Sequence, residues 1–237
     1  MNENNPKLYE LGGIDDVRYS QFSWRTRLAL AHKGLNFDTI PVRVSDKAVI
    51  AFSNQTKVPI LKLGDHVVAD SWAIADYLER TYAERPSLFG SPIGHGLTRF
   101  INTMVDRQLV PKAAMMLMRD VLDIVDDGDA LHMRTSMEKA FRKTLEEMAA
   151  QRDTDVIEFR RMLDPFRATL RGQRYLCGDE PAYADYILFS VFQWARIVSP
   201  FELLKDEDLV AEWRKRMLDL FGGMARQQRA RAMEAAT

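Results

Sequence analysis

Two serines stand at the mouth of one short helix in the run Tyr19-Ser20-Gln21-Phe22-Ser23-Trp24-Arg25-Thr26-Arg27-Leu28-Ala29-Leu30-Ala31-His32-Lys33-Gly34. Either hydroxyl is suited to cap that helix, whose apolar positions are Trp24, Leu28, Leu30 and Ala31, and Gly34 is suited to the left-handed residue that ends it. A helix N-terminus carries partial positive charge and N–H groups without intrahelical acceptors, so it stabilises an anion such as a thiolate or a phosphate. A serine hydroxyl there donates a hydrogen bond to the same anion.

Two further pairs bear on the nature of that anion. Val58-Pro59 opens an apolar run, where a proline is either an ordinary strand-edge residue, the commoner case, or a cis peptide that turns the neighbouring backbone groups outward. One hairpin later, Asp70-Ser71 opens another helix, whose first N–H groups suit a carboxylate while Asp70 suits an ammonium group. A capped helix mouth, a cis-proline backbone and an acid–hydroxyl pair together fit a zwitterionic peptide that carries a thiol.

The elements needed to position these residues are legible from periodicity. Lys7–Leu11 predicts a first strand, a turn-rich loop follows at residues 12–16, and residues 37–44 alternate towards a second strand. Residues 58–63 and 66–69 read as a hairpin about Gly64-Asp65, and residues 70–78 as an apolar-periodic helix with a polar cap. The predicted order is strand, helix, strand, helix, hairpin, helix, which is an α/β half. Residues 84–96, with Pro86, Gly90, Pro92, Gly94 and Gly96, read as a linker. Beyond it strand signals nearly vanish. Phe159, Met162, Leu163, Phe166 and Leu170 recur at helical spacing, residues 184–198 form an apolar helix, and the charged stretch 120–150 is weakly periodic.

Composition narrows the function classes. With 33 Lys and Arg against 34 Asp and Glu in 237 residues, the net charge of −1 argues against a dominant nucleic-acid role. Arg226, Arg229 and Arg231 read as a solvated helix end. No window approaches 18 uninterrupted apolar residues, residues 1–6 are polar, and the lone Cys177 permits no internal disulfide, so a cytoplasmic protein away from membranes is expected. The four histidines form no ligand-spaced pair, and no metal is expected.

The order Ser-Trp-Arg-x-Arg at residues 23–27, Lys57-Val58-Pro59-Ile60-Leu61, and Asp70-Ser71-x-Ala73-Ile74-x-x-Tyr77-Leu78 resembles the N-terminal domain of cytosolic glutathione transferases. Tyr175-Leu176-Cys177-Gly178-Asp179-Glu180-Pro181 with Ala184-Asp185 resembles that family's buried helix-capping segment. The resemblance implies a thioredoxin-like glutathione-binding domain over residues 1–88, an all-helical hydrophobic-substrate domain over residues 89–237, and a homodimer. Ser20 with Trp24-Arg25-Thr26-Arg27, Arg85-Pro86-x-Leu88-Phe89, residues 183–187, and Phe192-Gln193-Trp194-Ala195-Arg196 are similar to bacterial β-etherase-like and fungal-related members. Those enzymes use glutathione to displace a phenol from a β-aryl ether.

Carried over, Ser20 is expected to hydrogen-bond the glutathione sulfur, with Ser23 as its rival; Tyr19 and Tyr9 match no family tyrosine position. Val58 is expected to pair with the cysteinyl unit beside Pro59, Asp70 to hold the γ-glutamyl ammonium, Ser71 its carboxylate, and Lys57 the glycyl carboxylate, with Gln55 and Lys47 as poorer candidates. Phe22, Trp24, Met115, Met116 and Trp194 are expected to line the site of a hydrophobic aromatic partner, and Arg119 reads as a surface charge. Three departures stand out: Ser20 precedes Gln21 rather than a proline, Ala182 lacks the capping hydroxyl that Asp185 would answer, and residues 12–18 form a longer loop. The function implied is glutathione conjugation or glutathione-dependent ether cleavage. A non-catalytic binder of aromatic compounds, or a maleylacetoacetate-isomerase-like isomerase, are the alternatives. Against the isomerase stands the absence of a Ser-Ser-Cys run before Trp24.

Overall fold

A computed structural model describes residues 5–231; residues 1–4 and 232–237 lie outside it. Strands β1 (Lys7–Leu11), β2 (Asp38–Val42), β3 (Ile60–Leu63) and β4 (His66–Ala69) form one sheet in the order β2-β1-β3-β4. β1 and β2 are parallel, and the other pairs are antiparallel, with Leu8 opposite Leu61 and Ile60 opposite Ala69. Helix α1 (Gln21–His32) crosses between β1 and β2, and α2 (Ser71–Thr81) follows β4. This is a thioredoxin-like mixed sheet, as expected. The helix expected between β2 and the hairpin is instead a short 3-10 segment, Ala48–Ser53.

Local chemistry sets the ends of α1. Ser20 is its N-cap, and Gly34 takes φ 63° beyond its last turn, with the Leu35 N–H returning to the Leu30 carbonyl at 3.0 Å. The expected linker is shorter than residues 84–96, because Ser91 caps a helix that begins at Pro92 and takes in Gly94 and Gly96.

The remainder is helical: α3 (Pro92–Met104), α4 (Val110–Val121), α5 (Asp127–Phe141), α6 (Leu145–Ala150), α7 (Arg152–Met162), α8 (Asp164–Leu170), α9 (Tyr183–Val198), α10 (Leu209–Leu218) and α11 (Leu220–Gln227). α3 and α4 are joined by a π-helical turn, Val105–Leu109. Its cause is Pro111, which has no N–H to donate and whose ring crowds the carbonyl one turn back. Every residue of α9 is buried, so its sequence is mostly apolar and its polar Asp185, Ser190, Gln193 and Arg196 are all hydrogen-bonded, and α1 packs along it.

Charged side chains staple the two halves together. Arg25 of α1, fully buried, donates to Ser190 Oγ on α9 at 3.0 Å, to Asn102 Oδ1 at 3.2 Å and to Asp106 on the π turn at 2.7 Å. At the other side, the buried Asp129 carboxylate of α5 accepts the N–H groups of Ser45 and Val44 at 2.7 and 3.0 Å. Burial pushes this carboxyl up, but the bonds from Ser45 and Val44 and the Arg43 charge outweigh it, so it sits below the ordinary carboxylate range. A depressed native value contributes stability that is present above the unfolded value of about 3.9 and lost as pH falls through the native one. Urea midpoints should therefore drop on acidification below about pH 4, and Asp129→Asn should flatten that drop. An unchanged slope in the variant would assign the acid sensitivity to other carboxylates.

Candidate functional site

A cleft of about 480 Å³ opens at the edge of the sheet, lined by Phe22, Gln55, Lys57, Val58, Pro59, Ala69 and Asp70. The Val58-Pro59 bond is cis. The sheet register starts at Ile60, which leaves the Val58 N–H and carbonyl outside the ladder at the cleft wall. The Asp70 N–H donates to the Pro59 carbonyl at 3.1 Å, tying the start of β3 to the start of α2.

Asp70 has φ 79° and ψ 132°, a conformation that costs an L-residue about 1–3 kcal/mol. It is held because one carboxylate oxygen, Oδ1, accepts the N–H groups of both Trp72 and Ala73, at 3.0 and 3.1 Å. The second oxygen makes no bond within this cap, and the residue is exposed at the cleft. Ser71 follows in the first turn of α2, where N–H groups lack helical acceptors. It is buried, and its carbonyl accepts the Tyr183 hydroxyl of α9 at 2.7 Å.

Ser20 is 7% exposed and its Oγ accepts the Ser23 N–H at 3.3 Å. As an acceptor in that bond it keeps its own hydroxyl hydrogen for another partner, at the positive end of a 12-residue helix. Ser23 is 0% exposed and its Oγ has no hydrogen-bond partner. Ser23 is thus sealed in the core, whereas Ser20, also buried and like Ser71 outside the cleft lining, keeps a trace of exposure. Tyr19 is buried, with a hydroxyl that also lacks a partner; burial and the nearby Asp129 carboxylate push its ionisation far above the ordinary tyrosine range. Tyr9 is turned towards Phe52, with ring centroids 4.9 Å apart.

Of the residues expected to line a hydrophobic site, Phe22 is half-buried in the cleft wall, with the Arg25 guanidinium 4.9 Å from its ring centre. Trp24 is corrected from wall to core. It is fully buried, its indole N–H donates to the Arg18 carbonyl at 2.8 Å, and Arg27 covers its face. Met116 is likewise fully buried, Trp194 is 6% exposed and Met115 is half-buried; none of the three belongs to the cleft lining. Methionine and tryptophan at helical spacing here fill the space between helices. Gln55, ranked low from sequence, does line the cleft, and Lys47 does not. Asn54, left-handed at φ 54°, ends the 3-10 segment immediately before Gln55.

Other chemistry-bearing groups fall outside the cleft. Arg119 pairs with Asp123 at 2.7 Å and Glu146 at 3.5 Å. Cys177 is exposed as a residue, but its sulfur is desolvated and faces Asp185, which pushes the thiol up to about 12. Among the described residues no group of three His, Cys, Asp or Glu is placed to hold a metal ion, and no helix is long and apolar enough to cross a membrane.

This geometry accords with comparisons with known proteins. The chain is 28% identical over 116 residues to maleylacetoacetate isomerase from Rattus norvegicus, an alignment covering 44% of the chain and 54% of that protein. The chain spans about half the length of the curated relatives it matches first. In fold it is similar to glutathione transferase GSTFuA3 from Phanerochaete chrysosporium, with a TM-score of 0.74 at 23% identity, covering 92% of both chains. It is also similar to the glutathione S-transferase CsGST63524 of Ceriporiopsis subvermispora in complex with glutathione, with a TM-score of 0.75 at 21% identity, covering 95% of both chains. The glutathione S-transferase N-terminal domain family matches residues 19–81, and the glutathione S-transferase C-terminal domain family matches residues 96–221, more than half of the chain. The chain belongs to the glutathione S-transferase family.

Proposed function

We propose that this protein is a glutathione transferase that uses Ser20 to stabilise the glutathione thiolate for attack on a hydrophobic aromatic electrophile. The observation that carries the reading is the pairing of a capping serine, which keeps its own hydroxyl hydrogen at the N-terminus of α1, with a cleft made by cis-Pro59, Val58 and Asp70 and bordered by Phe22 of the same helix. Glutathione is a substrate here. Its cysteinyl amide is matched by the unladdered backbone of Val58, its ammonium by the free oxygen of Asp70, its α-carboxylate by Ser71 at the start of α2, and its glycyl carboxylate by Lys57. The Ser20 hydroxyl and the helix dipole lower the sulfur's ionisation from about 8.5 towards neutrality, and the protein contributes orientation and electrostatics to the attack.

The division of labour follows the resemblance: residues 1–88 bind glutathione, and residues 89–237, with Phe22, supply the hydrophobic side. Cleavage of a β-aryl ether is the finer assignment, carried by the Trp24-Arg25-Thr26-Arg27 run. The isomerase reading draws support from the rat relative, but the absence of a Ser-Ser-Cys run before Trp24 stands against it. Ile93, Leu97 and Phe100, exposed one helical turn apart on α3, are a face suited to a second copy of the chain.

Titration of bound glutathione by thiolate absorbance tests the reading. Wild type is expected to show a thiol ionising well below 8.5. An unshifted thiol would instead mark a binder of aromatic compounds without turnover. Release of phenol from a β-aryl ether, scored beside conjugation of chlorodinitrobenzene, tests the finer assignment.

A further inference from the structure

The connection between β1 and Ser20 is held from several sides. Asp15 and Asp16 both have left-handed backbone, with φ of 53° and 60°, a conformation that L-residues keep only when their surroundings enforce it. From inside the domain, the buried Arg18 donates through Nε to Asp16 Oδ1 at 2.9 Å. The same guanidinium lies 3.4 Å from the Glu10 carboxylate, which is buried on β1 and also paired with Arg27. The Arg18 carbonyl is in turn fastened by the Trp24 indole, on the first turns of α1. From the far end of the chain, Arg229 pairs with Asp15 at 3.0 Å. Two residues on, Arg231 donates to the Asp123 carboxylate at 2.9 Å. A cavity of about 230 Å³ lies between these ion pairs, with Ile14, Val17, Ile124 and Ile197 in its lining, so this stretch of the C-terminal segment bridges a gap through its charges. Gly13 seals the arrangement, because a Cβ there would collide with the Ile124 carbonyl oxygen.

We propose that Arg18 and Arg229 are positioning residues for Ser20, clamping the left-handed pair Asp15-Asp16 from opposite sides so that the C-terminal segment helps set the ionisation of the glutathione sulfur. The inference rests on the reading of Ser20 given above. Ser20 is two residues beyond Arg18, and its cap geometry is fixed only while the chain enters α1 in one direction. Release of either aspartate lets the loop leave the left-handed conformation and moves the hydroxyl off the sulfur, without touching the glutathione contacts at Val58, Asp70 and Ser71.

The full-length protein and the variants Asp16→Asn, Arg229→Gln and Arg229→Lys test this by two readouts: thiolate absorbance of bound glutathione, and amide hydrogen exchange across residues 13–19. Asp16→Asn and Arg229→Gln are expected to accelerate exchange and to lower the thiolate fraction at neutral pH roughly two- to five-fold, the size of effect expected for an exposed ion pair. KM for glutathione should stay within about two-fold, since the binding contacts remain. Arg229→Lys should restore both readouts, and raising the salt should move wild type towards Arg229→Gln. Faster exchange with an unshifted thiol, or no change in either readout, overturns the proposal. If wild type itself leaves the thiol unshifted, the Ser20 reading fails with it, and the exchange data alone decide whether the clamp exists.

Discussion

Ser20→Ala is expected to lower kcat/KM for conjugation about 10²- to 10³-fold at neutral pH, the range seen when one preorganised donor to an anion is removed. The hydroxyl has two tasks in the structure. It accepts the Ser23 N–H as the cap of α1, and its remaining hydrogen is available to the sulfur. Loss of the cap costs about 1 kcal/mol of stability, which thermal unfolding reads separately from catalysis. Loss of the donor should raise the bound thiol towards about 8.5, so that much of the missing activity returns as pH rises through that value. Ser20→Thr keeps both functions and should retain most activity. Ser23→Ala should leave the kinetics unchanged and be close to neutral in stability, because the deleted hydroxyl is buried without a partner. A wild-type pH–rate profile in Ser20→Ala, or a collapse of activity in Ser23→Ala, would refute the assignment.

The largest effect on stability is expected at Asp185. Its carboxylate, fully buried at the start of α9, accepts the Leu176 N–H at 2.8 Å, the Ala182 N–H at 3.2 Å and the Trp213 indole N–H at 2.9 Å. Ala182 offers no side-chain oxygen in return; the Asp185 N–H bonds to the Ala182 carbonyl at 2.9 Å instead. Asp185→Ala strands all three donors in the core, and a loss of roughly 3–5 kcal/mol follows. At this chain length that corresponds to a fall in Tm of roughly 6–20 °C. Cys177 supplies an internal reporter. Desolvation is the main reason its thiol is pushed up to about 12, with Asp185 adding to it, so a looser segment without that carboxylate should be labelled faster by a thiol reagent at pH 8. A Tm within about 2 °C of wild type would show that the segment has another anchor.

The hairpin around Gly64-Asp65 shows what kind of feature is legible in a sequence. Its strands pair residues no more than nine positions apart, and the capped starts of α1 and α2 and the stop at Gly34 depend on residues closer still. The missed features depend on residues far apart. Nothing near Arg25 or Lys33 in the sequence names a partner, yet both are fully buried, Arg25 against Asn102, Asp106 and Ser190, and Lys33 against Glu79 at 2.7 Å. Arg226, Arg229 and Arg231 look like a loose basic end, yet each meets a carboxylate among the described residues: Asp219, Asp15 and Asp123. Trp24 and Met116, expected in a pocket wall, lie in the core, because helical spacing says that a face is buried without saying against what.

By itself, the sequence determined the class of this protein and the inventory of its site: a serine-capped first helix, the Val58-Pro59 step and the Asp70-Ser71 pair, all specified by capping and turn chemistry that acts over a few residues. Only the tertiary structure decided which serine keeps a trace of exposure, which aromatic residue borders the cleft, and which charges are buried. Those outcomes depend on the rotation of α1 against α9 and on hydrogen-bond partners up to 165 residues away in the chain, and only packing and polar contacts between elements set them.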